Sequence, residues 1–300
     1  MWWGFWRVLR ATKRGSMTAT SRRITTGVRR GRHSLSVVVL AVAAFALVAS
    51  SPAPAATRHS GPLDVLYAGS LSDFMTQRLA PAFFKATGYQ IIGVANGSSA
   101  LASEIKGGTQ VGDVFISASP ASDVSLRGAA NGSWVSTYHT FATSRLVLAY
   151  NPHSPFAAAL RTRPWYDVVG RSGFLLGRTD PATDPKGVLA VTALREAARR
   201  YNVPRLAAIA ASTNGIFEET ALVGELQAGQ LDAGFFYNVE ARAAHLSTRP
   251  LTGTDLFASY TIAELNHAPH PLAAKAFLAF LLHGEGRQLL GSYGLTASST

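Results

Sequence analysis

Along the chain, short apolar runs ending at turn residues alternate with longer stretches of helical periodicity. PLDVLYAG (62–69) is an apolar run closed by glycine, the pattern of a buried strand. SLSDFMTQRLAPAFFKATG (70–88) then sets Phe74, Leu79, Phe83 and Phe84 at near-helical spacing and stops at Gly88. YQIIGVANG predicts a second strand, SSALASEIKGG a short helix, and GDVFISASP a third strand. Strands joined by helix-length crossovers predict an α/β fold with a largely parallel sheet.

RLVLAYNP (145–152) is a further strand leading away from this unit, and the theme then repeats. GFLLGRTDPATDPKG reads as strand and loop, 188–201 as a helix, and EETALVGELQAGQ as a helix closed by Gly229. LDAGFFYN is a buried strand, and the tail from His270 to Leu295 is two helices broken at Gly284. Two α/β units with strands crossing between them predict two lobes around a cleft. The expected boundaries are 62–143 plus 240–300 for lobe 1 and 144–239 for lobe 2.

Composition changes this picture mainly at the N-terminus. The net charge of +11 suggests a polyanion partner until its location is considered. Nine Lys or Arg and no acid lie in residues 1–55, and without those nine the chain carries only +2. The charge therefore gives no case for nucleic acid. The basic segment precedes an apolar run, Leu35–Ala49, and a small-x-small step at Ala53-Pro54-Ala55. This is the pattern of a secretory signal peptide over residues 1–55, with a start at Met1 or Met17. The run is shorter than the roughly 20 residues of a spanning helix. A retained anchor is the alternative. There is no cysteine, which excludes disulfides, thiolate metal sites and the acylated cysteine of a lipoprotein. The expectation is an exported protein, periplasmic or at the cell surface.

Candidate chemistry gathers at turns. YAGSLSDF places Ser70 and Ser72 where a strand enters a helix, and ANGSSALASEI does the same with Ser98 and Ser99. Helix N-termini expose unpaired N–H groups that attract anions, and serine hydroxyls add neutral donors. Such serines also act as plain N-caps. In TDPATDPKG, Asp180 and Asp184 each precede proline, so either can cap a helix or face a ligand. His267 and His270 in HAPH have metal-ligand spacing, but the intervening proline favours a turn. The Asn96 and Asn131 sequons are read as unglycosylated. Serine-hydrolase elbows, His-Glu-x-x-His and phosphate-loop motifs are missing, which favours a binding protein over an enzyme.

VLYAGSLSDF, ANGSSALASEIKGGTQVGDVFISASP, LQAGQLDAGFFYN and the tail together resemble the molybdate/tungstate-binding proteins of bacterial and archaeal ABC importers, over about Leu63 to Leu295. The resemblance implies a two-lobed, periplasmic-binding-protein-like (type II) α/β fold that closes on one oxyanion, with no resident cofactor and no catalysis. Position by position it implies Ser70, Ser98, Asp184, Glu219 and Tyr237 as ligand-binding residues. One branch of that family has neutral residues at the positions of Asp184 and Glu219. The other has carboxylates there, which complete an octahedron around the metal, and this chain resembles the second. It departs from that branch at Lys186, where cysteine is frequent, and in having no aromatic after Gly187.

Each residue keeps a plainer alternative: capping for Asp184, capping by Glu218 or Glu219, and a core aromatic role for Tyr237. The implied partners are an ABC permease and a small oxyanion, with the protein a monomer. Competing readings are a binding protein for sulfate, phosphate or ferric ion, and a secreted hydrolase using Asp184 and Glu219 as an acid–base pair.

Overall fold

The structure, a computed structural model, describes residues 60–299, so the expected signal peptide lies outside the described residues. Ten strands form among the described residues: β1 (Gly61–Ala68), β2 (Tyr89–Asn96), β3 (Val114–Ser117), β4 (His139–Tyr150), β5 (Leu176–Thr179), β6 (Ile216–Phe217), β7 (Ala233–Tyr237), β8 (Ser247–Pro250), β9 (Phe257–Glu264) and β10 (Thr296–Ala297). Their order is β2-β1-β3-β9-β4-β7-β5-β6, with β8 and β10 also paired to β4. The fold is mixed α/β, one ten-stranded sheet with helices between its strands.

The expectation of a largely parallel sheet is corrected. β1 runs parallel to β2 and β3, and β5 to β6 and β7. But β9 is antiparallel to β3 and β4, and β4 is antiparallel to β7, β8 and β10. The cause is β9, a central strand whose polar Ser259 and Thr261 obscure its pattern in sequence. Strand β4 is shared: His139–Arg145 pairs with β9, and Leu146–Tyr150 pairs with β7 and β8.

Side-chain alternation covers the sheet on both faces. Leu63, Val65 and Tyr67 enter the large apolar cluster with Phe74, Phe83 and Phe277. Leu66 points the other way, onto Leu101, Ile105 and Phe115. In the second parallel group Phe235 and Tyr237 face Trp165 and Leu194, while Phe236 packs on Leu222 and Leu226. Each such large side chain stabilises the fold by about 1.5–3 kcal/mol. A one-residue slip would turn every one of them to the wrong face, so register is fixed. That fixed register places the turns after β1, β2, β5, β6 and β7.

Local chemistry sets the helices that leave those turns. The helical stretch after β1 contains a π-helical turn, Met75–Leu79, just ahead of Pro81, and closes at Gly88 in the left-handed region (φ 87°). The helix expected at 188–201 starts three residues earlier and runs Pro185–Arg200, because Pro185 takes the first-turn position where its missing N–H is harmless. The tail forms Pro271–His283 and Glu285–Leu289 around Gly284, as its sequence predicts. No described helix is long and apolar enough to cross a membrane.

Candidate functional site

All five expected site residues stand at or just beyond the carboxyl ends of parallel strands. Ser70 follows β1, Ser98 follows β2, Asp184 follows β5, Glu219 follows β6, and Tyr237 is the last residue of β7. Open α/β sheets bind ligands at such ends.

The serines do not cap. The Ser70 hydroxyl pairs with the Tyr260 hydroxyl at 2.8 Å, and both residues are buried. Ser98 is the first residue of the Ser98–Lys106 helix, and its Oγ accepts the Ala118 N–H at 2.9 Å. Asp184 caps and does more. Its Oδ1 accepts the Lys186 N–H at 2.9 Å at the head of the Pro185–Arg200 helix. Its Oδ2 is buried and has no partner. Asp180 is the turn residue, its Oδ1 accepting the Ala182 N–H at 2.9 Å.

Glu218 and Glu219 lie in different surroundings. Glu218 is exposed, and its carbonyl accepts the Ala221 and Leu222 N–H groups. The Glu219 side chain is buried and turns inward to Lys186, with Oε1 at 3.1 Å from Nζ and Oε2 unpartnered. Tyr237 is fully buried, packs its ring edge-on to Tyr260 at 6.0 Å, and has an unpartnered hydroxyl.

Close backbone approaches bring these turns together. A Cβ on Gly69 would fall on Oε2 of Glu219 and 2.7 Å from its Cδ, so that carboxylate lies directly over the Ser70 turn. A Cβ on Gly97 would lie 2.5 Å from the Thr183 carbonyl oxygen and 3.2 Å from Asp184 Cβ. The Ala100 N–H donates to that same carbonyl at 3.0 Å. Thus the Ser70 turn meets Glu219, and the Ser98 turn meets the Asp184 loop. A cavity of about 400 Å³ is lined by Gly69, Ser70, Glu219, Thr220 and Glu240.

Three polar atoms from three segments, Asp184 Oδ2, Glu219 Oε2 and Tyr237 Oη, are therefore buried with no partner within hydrogen-bond distance, and the Thr179 hydroxyl stands beside Asp184. Buried polar atoms are normally paired, and each orphan costs about 1–3 kcal/mol. Three together at neighbouring strand ends mark a candidate site for something other than the protein itself.

The electrostatics have one source. Burial raises the Asp184 carboxyl above its ordinary range, with Lys186 opposing. Burial, against the pull of Lys186, pushes Glu219 up to about 8, and Glu240 and Asp184 add to the rise. Burial likewise raises Glu240 and lifts the Tyr237 and Tyr260 phenols, which stay neutral and able to donate. For Lys186, burial alone would lower the ammonium, but Glu219, Glu240 and Asp184 outweigh it and keep it charged.

Sequence reasoning missed Lys186, Glu240, Tyr260 and Thr179 as parts of this site. Lys186 is fully buried, donating to Glu219 and to both oxygens of Glu240 at 2.8 and 2.9 Å. Its sequence signals were its place two residues after Asp184 and its departure from the family branch, and neither pointed to burial among carboxylates. The histidines of HAPH do not pair: His270 Nδ1 lies 3.0 Å from Asp113 Oδ2, and His267 stands edge-on to Trp134. Asn96 is engaged by Gly97 and Glu104.

The mixed sheet, the shared β4 strand and the strand-end turns meeting at buried polar groups are the architecture that the comparisons with known proteins also find. The chain belongs to the bacterial extracellular solute-binding protein family, whose sequence model matches residues 63–296. That family is one of solute-binding transport proteins, not of enzymes.

The chain is 32% identical over 211 residues to a Haloferax volcanii protein provisionally named ABC transporter molybdenum-binding protein, covering 70% of this chain and 66% of that one. It is 26% identical over 204 residues to the molybdate/tungstate-binding protein WtpA of Pyrococcus abyssi, covering 51% of this chain and 59% of the relative. The match thus spans less than two thirds of either relative. Among solved structures, the fold is similar to the periplasmic molybdate-binding protein of Azotobacter vinelandii, with a TM-score of 0.62 at 19% identity, covering 79% of this chain and all of that one. It is also similar to the sulfate-binding protein SubI of Mycobacterium tuberculosis, with a TM-score of 0.60 at 16% identity, covering 79% and 86% of the two chains.

Proposed function

We propose that this chain is the extracytoplasmic binding component of an ABC importer and captures molybdate or tungstate as a monomer for a permease partner. The observation that carries the reading is the set of unpartnered buried atoms on Asp184, Glu219 and Tyr237. Ser70, Ser98 and Tyr237 are the proposed donors to the oxo groups. The free oxygens of Asp184 and Glu219 are the proposed ligands of the molybdenum or tungsten centre.

The free oxygens of Asp184 and Glu219 have nothing to ligate in sulfate or phosphate, which would be held only by hydrogen bonds. These oxygens favour an oxyanion whose hard metal centre accepts further oxygen ligands. The names of the relatives support the same ligand class. Export is inferred from the family and from the basic and apolar pattern of residues 1–55.

Thermal unfolding of the purified protein with tungstate, molybdate, sulfate or phosphate tests the reading. Ligand at about 100 times its dissociation constant stabilises by about 2.7 kcal/mol. For a domain of this size that raises the melting temperature by roughly 5–10 °C. The shift is expected with tungstate and molybdate and not with the other two. Absence of a shift with either metal oxyanion at millimolar concentration rejects the proposal.

A further inference from the structure

Lys186 is the second residue of a helix that starts after β5, yet its ammonium is completely enclosed. Its ammonium contacts two carboxylates: Glu219 Oε1 at 3.1 Å, and Glu240 through Oε1 at 2.8 Å and Oε2 at 2.9 Å. The rings of Phe236 and Tyr237 cover it, with centroids 5.5 and 5.9 Å away. Its polar contacts are both with the protein's own carboxylates, which places Lys186 behind the proposed ligand set and not in it.

What it does instead follows from its partners. Glu240 is already fixed, because its Oε1 accepts the Tyr237 N–H at 2.7 Å. Lys186 therefore ties the loop after β6, through Glu219, to the head of the helix after β7. By holding Oε1 of Glu219 it leaves Oε2 alone, standing over Gly69 and free of partners. Glutamate is thus presented through one oxygen in a fixed direction. Lys186 is also the cation acting on all three buried carboxylates, Asp184, Glu219 and Glu240. Without it Glu219 would face Glu240 and Asp184 uncompensated and would turn away from the cluster.

We infer that Lys186 is a positioning residue that presents Glu219 as a one-oxygen ligand to the metal centre and thereby sets the preference for oxyanions able to expand their coordination. The inference rests on the proposed molybdate/tungstate function and names the residue that tunes its site.

Two variants test it: Lys186→Met, and Lys186→Met with Glu240→Gln. The double variant removes the buried pair together, keeps the net charge, and retains an acceptor for the Tyr237 N–H. It therefore remains informative where the single variant fails to fold. Tungstate affinity is measured by calorimetry, and the oxygen neighbours of bound tungsten by X-ray absorption.

The expected loss of affinity is roughly 10- to 100-fold, the usual effect of removing a partner that orients a metal ligand. Bound tungsten is expected to have one oxygen neighbour fewer than in the wild type, a change that a purely structural role would not produce. A folded double variant with unchanged affinity, or with an unchanged neighbour count, overturns the inference. Wild-type protein that binds neither oxyanion instead rejects the proposed function itself.

Discussion

Replacing Gly69 by alanine tests the site through a single added carbon. The backbone at Gly69 lies outside the left-handed region, so alanine meets no conformational strain there. The new Cβ would nevertheless coincide with Oε2 of Glu219, and the Thr220 methyl would lie at 3.2 Å. Glu219 must then swing away, and its 3.1 Å ion pair with Lys186 breaks. Breaking a buried pair costs about 3–5 kcal/mol. Releasing an unpartnered buried oxygen returns about 1–3 kcal/mol. The unliganded variant should therefore be less stable by up to about 4 kcal/mol, a fall of up to roughly 16 °C in melting temperature. Loss of the Glu219 oxygen from the ligand set should weaken tungstate about 100-fold, or about 2.7 kcal/mol. Calorimetric titration with tungstate and circular-dichroism melting of the free protein measure the two effects separately. Wild-type tungstate affinity in a folded Gly69→Ala protein would show that the Glu219 oxygen is not part of the site.

Three further outcomes are expected. Gly97→Ala pushes the Ser98 turn off the Thr183 carbonyl and disrupts the 3.0 Å bond from Ala100, so tungstate binding should fall at least about tenfold while far-ultraviolet dichroism is unchanged. Asp184→Asn keeps a good helix cap but removes the ligand charge, so tungstate binding should weaken about 100-fold with stability held within about 0.5 kcal/mol, whereas Asp184→Ala should lose about 1 kcal/mol of stability as well. The unliganded protein should lose stability as pH rises from about 4.5 to about 8, by about 1.4 kcal/mol for each unit by which Glu219 is raised. The sign follows from linkage: in that window the folded state holds a proton on Glu219 that the unfolded chain has released. Asp123, raised to about 6 by burial, acts in the same direction from about pH 4 to 6. Denaturant midpoints across the pH range check this, and a midpoint that rises from pH 5 to 8 contradicts it.

What was legible in the sequence depended on locality. β1, β2 and β3 and their helices could be read because each is a continuous run with its own period and its own glycine stop. Ser70 and Ser98 could be read because a strand-to-helix turn is a local signal. Asp184 was visible as a pre-proline acid at a helix head, and its two oxygens combine both readings, one capping and one free. Glu219 and Tyr237 needed the family resemblance, since nothing within a few residues of either marks it.

The misses share a physical cause. β6 and β10 are two residues each, too short for any period. β9 was hidden because its polar residues are buried and paired: Thr261 is fully enclosed and bonds Ser117 and Asp123. Lys186 and Glu240 read as ordinary charged residues near helix starts. Their burial depends on partners 33 and 54 positions from Lys186, which only the assembled strand ends bring together.

The central claim is that Asp184 and Glu219 ligate the metal of the bound oxyanion. X-ray absorption at the tungsten edge of the tungstate-bound protein tests it most directly. The account predicts six oxygen neighbours, falling to five in Asp184→Asn and again in Gly69→Ala. Four equivalent neighbours, unchanged by either substitution, would contradict it.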